Sequence, residues 1–362
     1  MTMSLLVVTT TFDKPERALY IGLARSGISL DLICQPDAPG QSELLENGIR
    51  ISNLKIRHRL DWEAIRFIRN HLRSRMFRII YAPRNDCLSA SLIASLGKDI
   101  KIVGYRGTSG HISKGNPGDW LTYLNPRVDK IICVSDSVRH YLLRTGLPPH
   151  RLVTIYKGHE VDWYENPKKP DPVSRNIPSS AFIAGFVGNM RPDKGVEVFV
   201  HSHRHLHAPD NIGYLLAGEI RYRSLLMMSL HRDLHPNIRF TGFREDAVNL
   251  MKVFSVAVMP SIAREGFPKA IIEAMAQGIP PIVTRVGGMP EIVKNHINGL
   301  IVPPGNAPAL AEAIQFLADN PDLGDRLGRN AKKTIIERFN SRIMISRTLK
   351  LFSALLDGLK MN

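Results

Sequence analysis

Cysteine is scarce in this sequence and is never clustered. Only three cysteines occur among 362 residues, namely Cys34, Cys87 and Cys133, and each stands singly in or beside an apolar segment. A disulfide framework or a cysteine metal site would need cysteines at short, recurring spacings, which this chain does not have. The pattern instead predicts three small core side chains in a protein of a reducing compartment.

Long apolar runs are missing too. The first ten residues, MTMSLLVVTT, contain only a short apolar run with no basic leader before it, which predicts a buried strand and not a signal peptide. No later run reaches the roughly 20 apolar residues that a membrane-spanning helix needs. We therefore expect a cytosolic protein.

Acidic residues are few relative to basic ones, with 33 Asp and Glu against 48 Lys and Arg. The surplus is concentrated between Arg50 and Arg78, where nine basic residues stand against two acidic ones. The segment that starts at Asp61 and ends at Arg78 contains a predicted amphipathic helix. Its expected apolar stripe is Trp62, Ile65, Ile68 and Leu72, surrounded by Arg59, Arg66, Arg69 and Arg73.

Such a basic helix has two interpretations, and the sequence leaves both open. It is typical of peripheral contact with an anionic membrane, and equally of a helix that packs on the core and exposes a solvated basic face. Nucleic acid is a competing partner for the charge. It is disfavoured because no recognised binding module or interleaved aromatic platform accompanies the basic residues.

No Gly-x-Gly-x-x-Gly fingerprint follows the first strand of either half, which disfavours an ordinary dinucleotide dehydrogenase. Short apolar runs instead alternate with amphipathic ones, as in parallel sheets covered by helices. Strands are predicted at residues 5–9, 30–34, 49–52, 78–82, 101–105, 126–135 and 151–156, and again at 181–187, 214–217, 238–241, 253–259, 282–284 and 300–302. Helices are predicted at residues 15–26, 61–75, 86–96, 137–145, 268–277 and 342–359. The proline-rich, polar stretch 166–180 predicts a linker between two domains.

Residues 259–291 carry the densest chemistry of the chain. A strand ends there, a loop carries Glu265, and a short helix opened by Pro268 places Glu273 two turns further on. The next strand runs into a pair of glycines and another helix start. Two successive strand-to-helix turns offer free backbone N–H groups at one edge of a sheet, which predicts a phosphate site. A carboxylate beside that site, such as Glu273, suits ribose hydroxyls.

The same block carries a family resemblance. Seven residues separate Glu265 from Glu273, and the motifs AM, GIP, GGMPE and NGL follow up to residue 300. The whole pattern closely resembles the family 4 (group 1) glycosyltransferases. The resemblance implies an α/β protein of the GT-B fold, with two Rossmann-like domains whose parallel sheets face each other across a cleft. The implied domains are an acceptor-side domain (1–165), the linker (166–180), a donor-binding domain (181–341) and a C-terminal helix that crosses back to the first domain (342–362).

The resemblance also assigns roles in the second half. Glu265 would hold sugar hydroxyls, and Glu273 would accept hydrogen bonds from the ribose. Arg191 and Lys194 would neutralise charge on the departing nucleotide, although Asn189 stands where relatives most often carry arginine. The implied donor-binding residues are Gly188, Asn189, Gly218, Glu219, Phe243, Arg244, Gly266, Phe267, Pro268 and Glu273.

In the first half the resemblance points to His111, because a histidine near that place approaches the sugar in many relatives. Thr11 and Phe12 lie in a loop where many relatives carry a glycine pair near the diphosphate. Because glycine is absent here, an acceptor-side role is what remains for them. The implied catalytic set is thus Glu265, Lys194, Arg191 and His111, with neither carboxylate acting as a nucleophile.

The resemblance implies retention of configuration, no metal ion and no cofactor, since the nucleotide sugar is a substrate. The expected partners are a nucleotide-sugar donor and a glycan or lipid-linked acceptor. The expected setting is lipopolysaccharide or other surface polysaccharide assembly at the inner face of a bacterial membrane. Two alternatives remain open, a nucleotide-sugar epimerase of GT-B type and a non-catalytic basic scaffold.

Overall fold

The computed structural model describes residues 3–165 and 181–357, and the chain divides into two compact units. Unit 1 comprises Met1–Gly158 and Asn340–Asn362, and unit 2 comprises His159–Phe339. The first unit therefore ends at Gly158 and not at residue 165. His159 belongs to the second unit, and its backbone N–H donates to the carbonyl of Phe339, the last residue of that unit, at 2.7 Å. The predicted linker, 166–180, lies outside the described residues.

Unit 1 is built on a seven-stranded parallel sheet. Its strands are β1 (Ser4–Val8), β2 (Ser29–Cys34), β3 (Arg50–Asn53), β4 (Ile79–Ala82), β5 (Lys101–Arg106), β6 (Lys130–Cys133) and β7 (Leu152–Thr154). They follow the order β3-β2-β1-β4-β5-β6-β7, so the strand order reverses at the β1/β4 pair. The central strands are buried on both faces, as parallel sheets require.

Several helices of unit 1 begin at a side-chain cap. They are α1 (Lys14–Arg25), α2 (Gln41–Glu46), α3 (Trp62–Ser74), α4 (Asn85–Ala94), α5 (Pro117–Trp120) and α6 (Asp136–Arg144). Asp13 and Glu16 form a reciprocal capping box at the start of α1, with proline in its first turn. Asp61 caps α3 by accepting from the Ala64 N–H at 3.1 Å.

Unit 2 repeats the plan with six strands. These are β8 (Phe182–Val187), β9 (Ile212–Ala217), β10 (Ile238–Gly242), β11 (Val256–Met259), β12 (Pro281–Thr284) and β13 (Leu300–Val302), in the parallel order β10-β9-β8-β11-β12-β13. The helices are α7 (Val196–Ser202), α8 (Arg223–Ser229), α9 (Ala247–Leu250), α10 (Lys269–Ala276), α11 (Met289–Ile292), α12 (Ala307–Asp319) and α13 (Pro321–Arg338). The strand order reverses at the β8/β11 pair.

The last helix, α14 (Ser341–Asp357), belongs to unit 1. It packs on α1, where Gly22 has no side chain to hold the two helices apart. A Cβ at Gly22 would lie 2.3 Å from the Ile345 Cδ1. Met344, Leu351, Phe352 and Leu355 complete the hydrophobic core of the unit.

The predicted parallel α/β architecture is confirmed, with strand and helix ends shifted by a few residues. The strand predicted at 126–135 is shorter, because the Asn125 side chain accepts from the Arg127 N–H and holds a turn before Lys130. Seven helices of the described residues were not predicted, namely α2, α5, α7, α8, α9, α12 and α13. Trp62 was placed wrongly, since its side chain is 70% exposed and only Ile65, Ile68 and Leu72 of the expected stripe are buried.

The cysteine prediction is confirmed for the packing of all three side chains. Cys34, Cys87 and Cys133 are buried and unbonded to one another. Burial raises the pKa of the Cys34 thiol to about 11 and that of Cys87 to about 12, so both stay protonated at neutral pH. Among the described residues, no helix is both long and apolar enough to cross a membrane.

Candidate active site

The candidate site lies at the carboxyl edge of the sheet in unit 2, above the β8/β11 pair. From β8 the chain proceeds to β9 on one side, and it later returns to β11 on the other. Loops that leave such a pair diverge from a crevice, and ligands of open α/β sheets bind there. The loop after β8 carries Lys194 and the loop after β11 carries Glu265.

Glycines bring the loops after β8 and β9 into contact. The Gly188 N–H donates to the Ala217 carbonyl at 2.9 Å, and the Met190 N–H donates to the Glu219 carbonyl at 2.8 Å. Gly218 has a φ of +144°, and a Cβ there would lie 1.9 Å from the Gly188 carbonyl oxygen. Any side chain at position 218 would therefore push the two loops apart.

The basic loop is also fixed to the loop after β11. Lys194 ends a single 3-10 turn, Pro192–Lys194, and the next residue, Gly195, has a left-handed φ of +64°. A Cβ at Gly195 would lie 2.1 Å from the Pro260 carbonyl oxygen. The Ile262 N–H donates to the Asp193 carbonyl at 2.9 Å. These contacts hold the Lys194 side chain against the second loop.

Glu265 is a nearly buried carboxylate, 6% exposed, whose charge is compensated. Its Oε2 accepts from the Lys194 Nζ at 2.7 Å and from the Ser261 Oγ at 2.9 Å. Its Oε1 has no hydrogen-bond partner among the residues that the structure describes. Because a buried charge is costly unless paired, Lys194, Ser261 and Glu265 form one unit, and Oε1 is its open acceptor.

The backbone around Glu265 is tightly constrained. Gly287, in the loop after β12, has a φ of +57°, and a Cβ there would lie 1.7 Å from the Glu265 carbonyl oxygen. The Gly288 N–H donates to that same oxygen at 3.1 Å. Arg264 adopts a left-handed φ of +59° without being glycine. Such residues cost about 1–3 kcal/mol and cluster at functional sites.

Glu273 lies on α10, which starts directly after the Gly266-Phe267-Pro268 segment. Pro268 is the N-cap residue of this helix, one position before its first turn. Glu273 is 6% exposed, and the Lys269 Nζ lies 3.6 Å from its Oε1. The N–H groups in the first turn of α10 face the same edge of the sheet that carries Glu265. The two carboxylates therefore lie in consecutive parts of one loop and helix.

The remaining charged side chains predicted to bind the donor are held in local pairs. Arg191 contacts Asp193 at 3.2 Å, and Glu219 contacts Arg221 at 2.7 Å. Arg244 binds Asp246 through two hydrogen bonds of 2.7 and 2.6 Å, which lower the pKa of the Asp246 carboxyl. Asn189 and Phe243 are exposed, Phe243 by 74%. Lys194 is thus the predicted cation that the structure joins to Glu265.

In unit 1 the predicted residues lie at the carboxyl edge of its sheet. Thr11 is partly exposed, and its carbonyl accepts from the Arg84 guanidinium at 3.3 Å. Phe12 is only 4% exposed and packs edge-on against Tyr20, so its side chain belongs to the core and not to an acceptor surface. His111 is exposed, with a φ of +65°. Its loop is held by the Asp119 carboxylate, which accepts from the Ser113 N–H at 3.0 Å.

Sequence reasoning missed two charged or polar clusters at the carboxyl edges of the sheets. Ser261 is a serine directly after a strand, and no local pattern shows that its hydroxyl reaches Glu265. Lys157 belongs to the other cluster. Its Nζ lies 2.8 Å from Asp13 and 3.2 Å from Glu16 at the carboxyl edge of unit 1. Burial alone would lower the pKa of the Lys157 ammonium, but the two carboxylates outweigh burial and raise it.

No group of three or more His, Cys, Asp or Glu side chains that could hold a metal ion occurs among residues 3–165 and 181–357. Metal independence stays a prediction, because a metal that arrives with a nucleotide diphosphate needs no such protein group.

Comparison with known proteins covers both units. The model of "Glycosyltransferase Family 4" matches residues 17–163, and that of "Glycosyl transferases group 1" matches residues 167–334. The capsular polysaccharide biosynthesis glycosyltransferase CapM of Staphylococcus aureus is 26% identical over 59% of this chain and 58% of its own length. An Escherichia coli UDP-Gal:alpha-D-GlcNAc-diphosphoundecaprenol alpha-1,3-galactosyltransferase is 26% identical over 44% of this chain and 42% of its own length.

Among solved structures, Anabaena HepE in complex with UDP-glucose superposes with a TM-score of 0.79 at 20% identity. That match covers 97% of this chain and all of the HepE chain. At such identity the likeness establishes the GT-B fold. The two family models lie end to end along the chain and correspond to its two α/β units. The chain belongs to the family 4, group 1 glycosyltransferases.

Proposed function

We propose that this protein is a retaining glycosyltransferase of the hexosyltransferase type. It transfers a sugar from a nucleotide-sugar donor, bound by unit 2, to a glycan or lipid-linked acceptor, bound by unit 1. The observation that carries the proposal is the Lys194–Glu265 pair at the strand-order reversal of unit 2, with the Glu265 Oε1 left open as an acceptor.

The ammonium of Lys194 has three N–H donors, and Glu265 takes one of them. Two donors therefore remain for the diphosphate of a bound donor, and the ion pair need not break when the donor enters. As the sugar bond breaks, negative charge grows on the leaving diphosphate. A cation already fixed beside that position stabilises the transition state without reorganising.

The two carboxylates suit hydroxyl groups. The Glu265 Oε1 would accept hydrogen bonds from the sugar, while Glu273 would accept from the ribose at the start of α10. Neither is proposed as a nucleophile, since the charge of Glu265 is already shared by Lys194 and Ser261. The acceptor hydroxyl would attack from the face that the diphosphate leaves, so positioning supplies much of the rate.

The relatives indicate which substrates to test first. CapM is named for capsular polysaccharide biosynthesis, and the Escherichia coli relative is named for a diphosphoundecaprenol acceptor. HepE was solved with UDP-glucose. We therefore propose a UDP-hexose donor, a lipid-linked saccharide acceptor and a role in surface polysaccharide or lipopolysaccharide assembly, on the cytoplasmic side of the membrane.

The test begins with donor binding. Purified protein is screened for thermal stabilisation by UDP-, GDP- and ADP-sugars, because a ligand at a hundred times its Kd adds about 2.7 kcal/mol of stability. The stabilising sugar is then incubated with lipid-linked acceptors, with and without EDTA. We expect a product with the anomeric configuration of the donor and a rate that EDTA does not change.

The alternatives give different outcomes in the same assay. An epimerase would convert the donor in the absence of any acceptor, and a non-catalytic scaffold would neither be stabilised by a nucleotide sugar nor consume it. Either result would contradict the proposal.

A further inference from the structure

Helix α3 presents two faces of opposite character. Ala64, Ile65, Ile68 and Leu72 are buried, so the apolar stripe packs in the core of unit 1 and is not free to insert into a bilayer. The outer face carries Trp62, Arg66, Arg69 and Arg73, all exposed. These four residues recur at helical spacing and form one continuous stripe. The part of the helix that a partner could meet is therefore basic, with an indole at its first turn.

Two of the three tryptophans in the chain are exposed on this side of unit 1. Trp62 is 70% exposed and Trp120, in α5, is 48% exposed. The Trp120 Nε1 donates to the Lys114 carbonyl at 2.8 Å, which fixes the ring. Tryptophan is usually well buried in water-soluble proteins. On membrane proteins, by contrast, tryptophan is enriched at the interface between membrane and water.

The two tryptophans belong to neighbouring segments. Arg59, just before α3, reaches α5, since a Cβ at Gly118 would lie 2.3 Å from the Arg59 Nη1. The start of α3 therefore lies beside the loop that follows β5, at the carboxyl edge of the sheet. Thr11 and His111 are at the same edge. From there α3 runs along the unit for about 20 Å.

A basic cavity of about 580 Å³ lies at the other end of α3. Arg73, Arg75, Arg78 and Lys98 line it, together with Met76, which is 87% exposed. Lys98 donates to the Leu72 carbonyl and so offsets the negative end of the helix dipole, which amounts to about half a charge. The acid that lines the cavity is Asp99. Its net charge is positive, and it fits a phosphate group.

The charge on this side is compensated only in part, since Arg75 lies 3.5 Å from Asp31 but other arginines have no such partner. Within the described part of unit 1, Arg66, Arg73 and Arg78 have no carboxylate partner. Glu63, on the same helix, is already 3.4 Å from Arg57. An uncompensated stripe of this kind attracts an anionic surface, and each Lys or Arg near such a surface contributes about 1 kcal/mol.

We propose that the α3 surface, defined as Trp62, Arg66, Arg69, Arg73, Met76 and Trp120, docks unit 1 on an anionic phospholipid bilayer. Lipid phosphates enter the basic cavity, and the indoles lie among the headgroups. Docking on a bilayer would bring unit 1 to a lipid-linked acceptor, and only this role of the bilayer rests on the proposed function. A bilayer surface that lies along α3 would reach the loops at the carboxyl edge of unit 1, where the acceptor is proposed to bind.

The test uses the full chain and vesicles of phosphatidylcholine with a rising share of phosphatidylglycerol. Co-flotation should rise with the anionic share and fall with added salt, because screening shortens to about 8 Å at physiological ionic strength. The triple variant Arg66→Gln, Arg69→Gln, Arg73→Gln should lower the partition coefficient roughly hundredfold. The double variant Trp62→Ala, Trp120→Ala should also have a lower partition coefficient than the wild type, although its charge is unchanged.

Helix α13 supplies a matched control. Arg326, Arg329 and Lys333 are exposed at the same sequence spacing, so changing all three to Gln removes the same charge from unit 2. This variant should bind anionic vesicles as the wild type does. Both triple variants should keep the wild-type thermal shift with nucleotide sugar, which reports a folded unit 2.

Equal binding to neutral vesicles, or an equal loss in the α13 control, would overturn the docking proposal. Preference for random-sequence duplex DNA over anionic vesicles would overturn it as well and would assign the stripe to nucleic acid. No donor or acceptor is present in the flotation experiment. Its failure is therefore distinct from a failure of sugar transfer.

Discussion

The carboxyl edges of the two sheets differ in how their charges are held. In unit 2, Lys194, Ser261 and Glu265 form a compact cluster with one open carboxylate oxygen, and glycines lock the surrounding loops. In unit 1, the comparable cluster of Lys157, Asp13 and Glu16 is satisfied internally. One edge holds a charge ready for a ligand, whereas the other uses its charges to fix the start of a helix.

This difference matches the two kinds of substrate that the family handles. Every nucleotide-sugar donor presents the same diphosphate group. A preorganised site stabilises the charge that develops on this group, because fixed charges need not reorganise during reaction. The proposed acceptor side of unit 1 instead exposes loops that carry His111, Lys114 and Trp120. Binding residues on loops can vary while the scaffold stays the same.

The first prediction breaks the cluster in unit 1. Changing Lys157→Met leaves the carboxylates of Asp13 and Glu16 without their cation, and Glu16 is only 6% exposed. The free energy of unfolding should fall by about 3–5 kcal/mol, since an uncompensated buried charge remains. Urea denaturation followed by tryptophan fluorescence measures the change.

Adding Glu16→Gln to Lys157→Met should recover part of that loss, because the buried charge is then removed. Nucleotide affinity should be unchanged in the single variant, since unit 2 carries the proposed donor site. A variant as stable as the wild type would mean that the Lys157 cluster is solvated and does not anchor α1.

The second prediction breaks the cluster in unit 2. Changing Lys194→Ala should lower kcat by 10²–10³-fold, about 2.7–4 kcal/mol, with a smaller effect on donor affinity, because the cation acts most as the leaving charge develops. Lys333→Ala, an exposed lysine of α13, is the control and should behave as the wild type. Steady-state kinetics with the donor found in the binding screen measure both.

Equal losses in kcat and donor affinity would assign Lys194 to simple binding. If neither kcat nor donor affinity changed, the Lys194–Glu265 pair would be a structural contact only.

The third prediction concerns Glu273, which separates ribose recognition from catalysis. Changing Glu273→Ala should weaken binding of the free nucleotide by about 1.5–3 kcal/mol, because buried ribose hydroxyls lose an ionised acceptor. Isothermal titration with the nucleotide and with the corresponding 2′-deoxynucleotide gives the test. The variant should bind the two with similar affinity, whereas the wild type should prefer the ribose form. A variant that keeps the wild-type preference would remove the ribose assignment.

Much of this architecture follows from local sequence. The parallel sheets were predictable because apolar runs and amphipathic segments alternate, and the switch-point glycines were visible as motifs. Arg244 and Asp246 are only two positions apart, so their bidentate pairing could have been predicted from the sequence. Contacts of that kind depend on spacing along the chain.

What the sequence could not supply are contacts that depend on strand order. Lys194 and Glu265 are 71 positions apart, and Lys157 is 144 positions from Asp13. Their pairing requires knowing which strands are neighbours. Trp62 failed for a different reason. Its spacing fits both the buried stripe that contains Ile65 and the exposed stripe that contains Arg66, and its side chain lies on the exposed one.

The last prediction uses the amino edge of the sheet in unit 2, where charge is excluded instead of held. His203 is buried, and its Nε2 lies 3.3 Å from the Ile212 carbonyl. Burial, with His235 nearby, lowers the pKa of His203 to about 4, and the hydrogen bond with the Ile212 carbonyl and the charge of Asp210 offset this only in part. A histidine with a lowered pKa binds its proton more readily in the unfolded chain. Stability should therefore fall as the pH drops from about 6.5 towards 4, by about 3 kcal/mol for this group.

Urea denaturation at several pH values in that window measures the slope. His203→Phe retains a ring against Tyr214 but cannot titrate, so its stability should depend less on pH than that of the wild type. His201→Gln, which removes an exposed histidine two residues before His203, is the control and should keep the wild-type slope. If His203→Phe and the wild type lose stability in parallel, acid sensitivity arises elsewhere. The contrast between an edge that holds charge and an edge that excludes it would then not extend to His203.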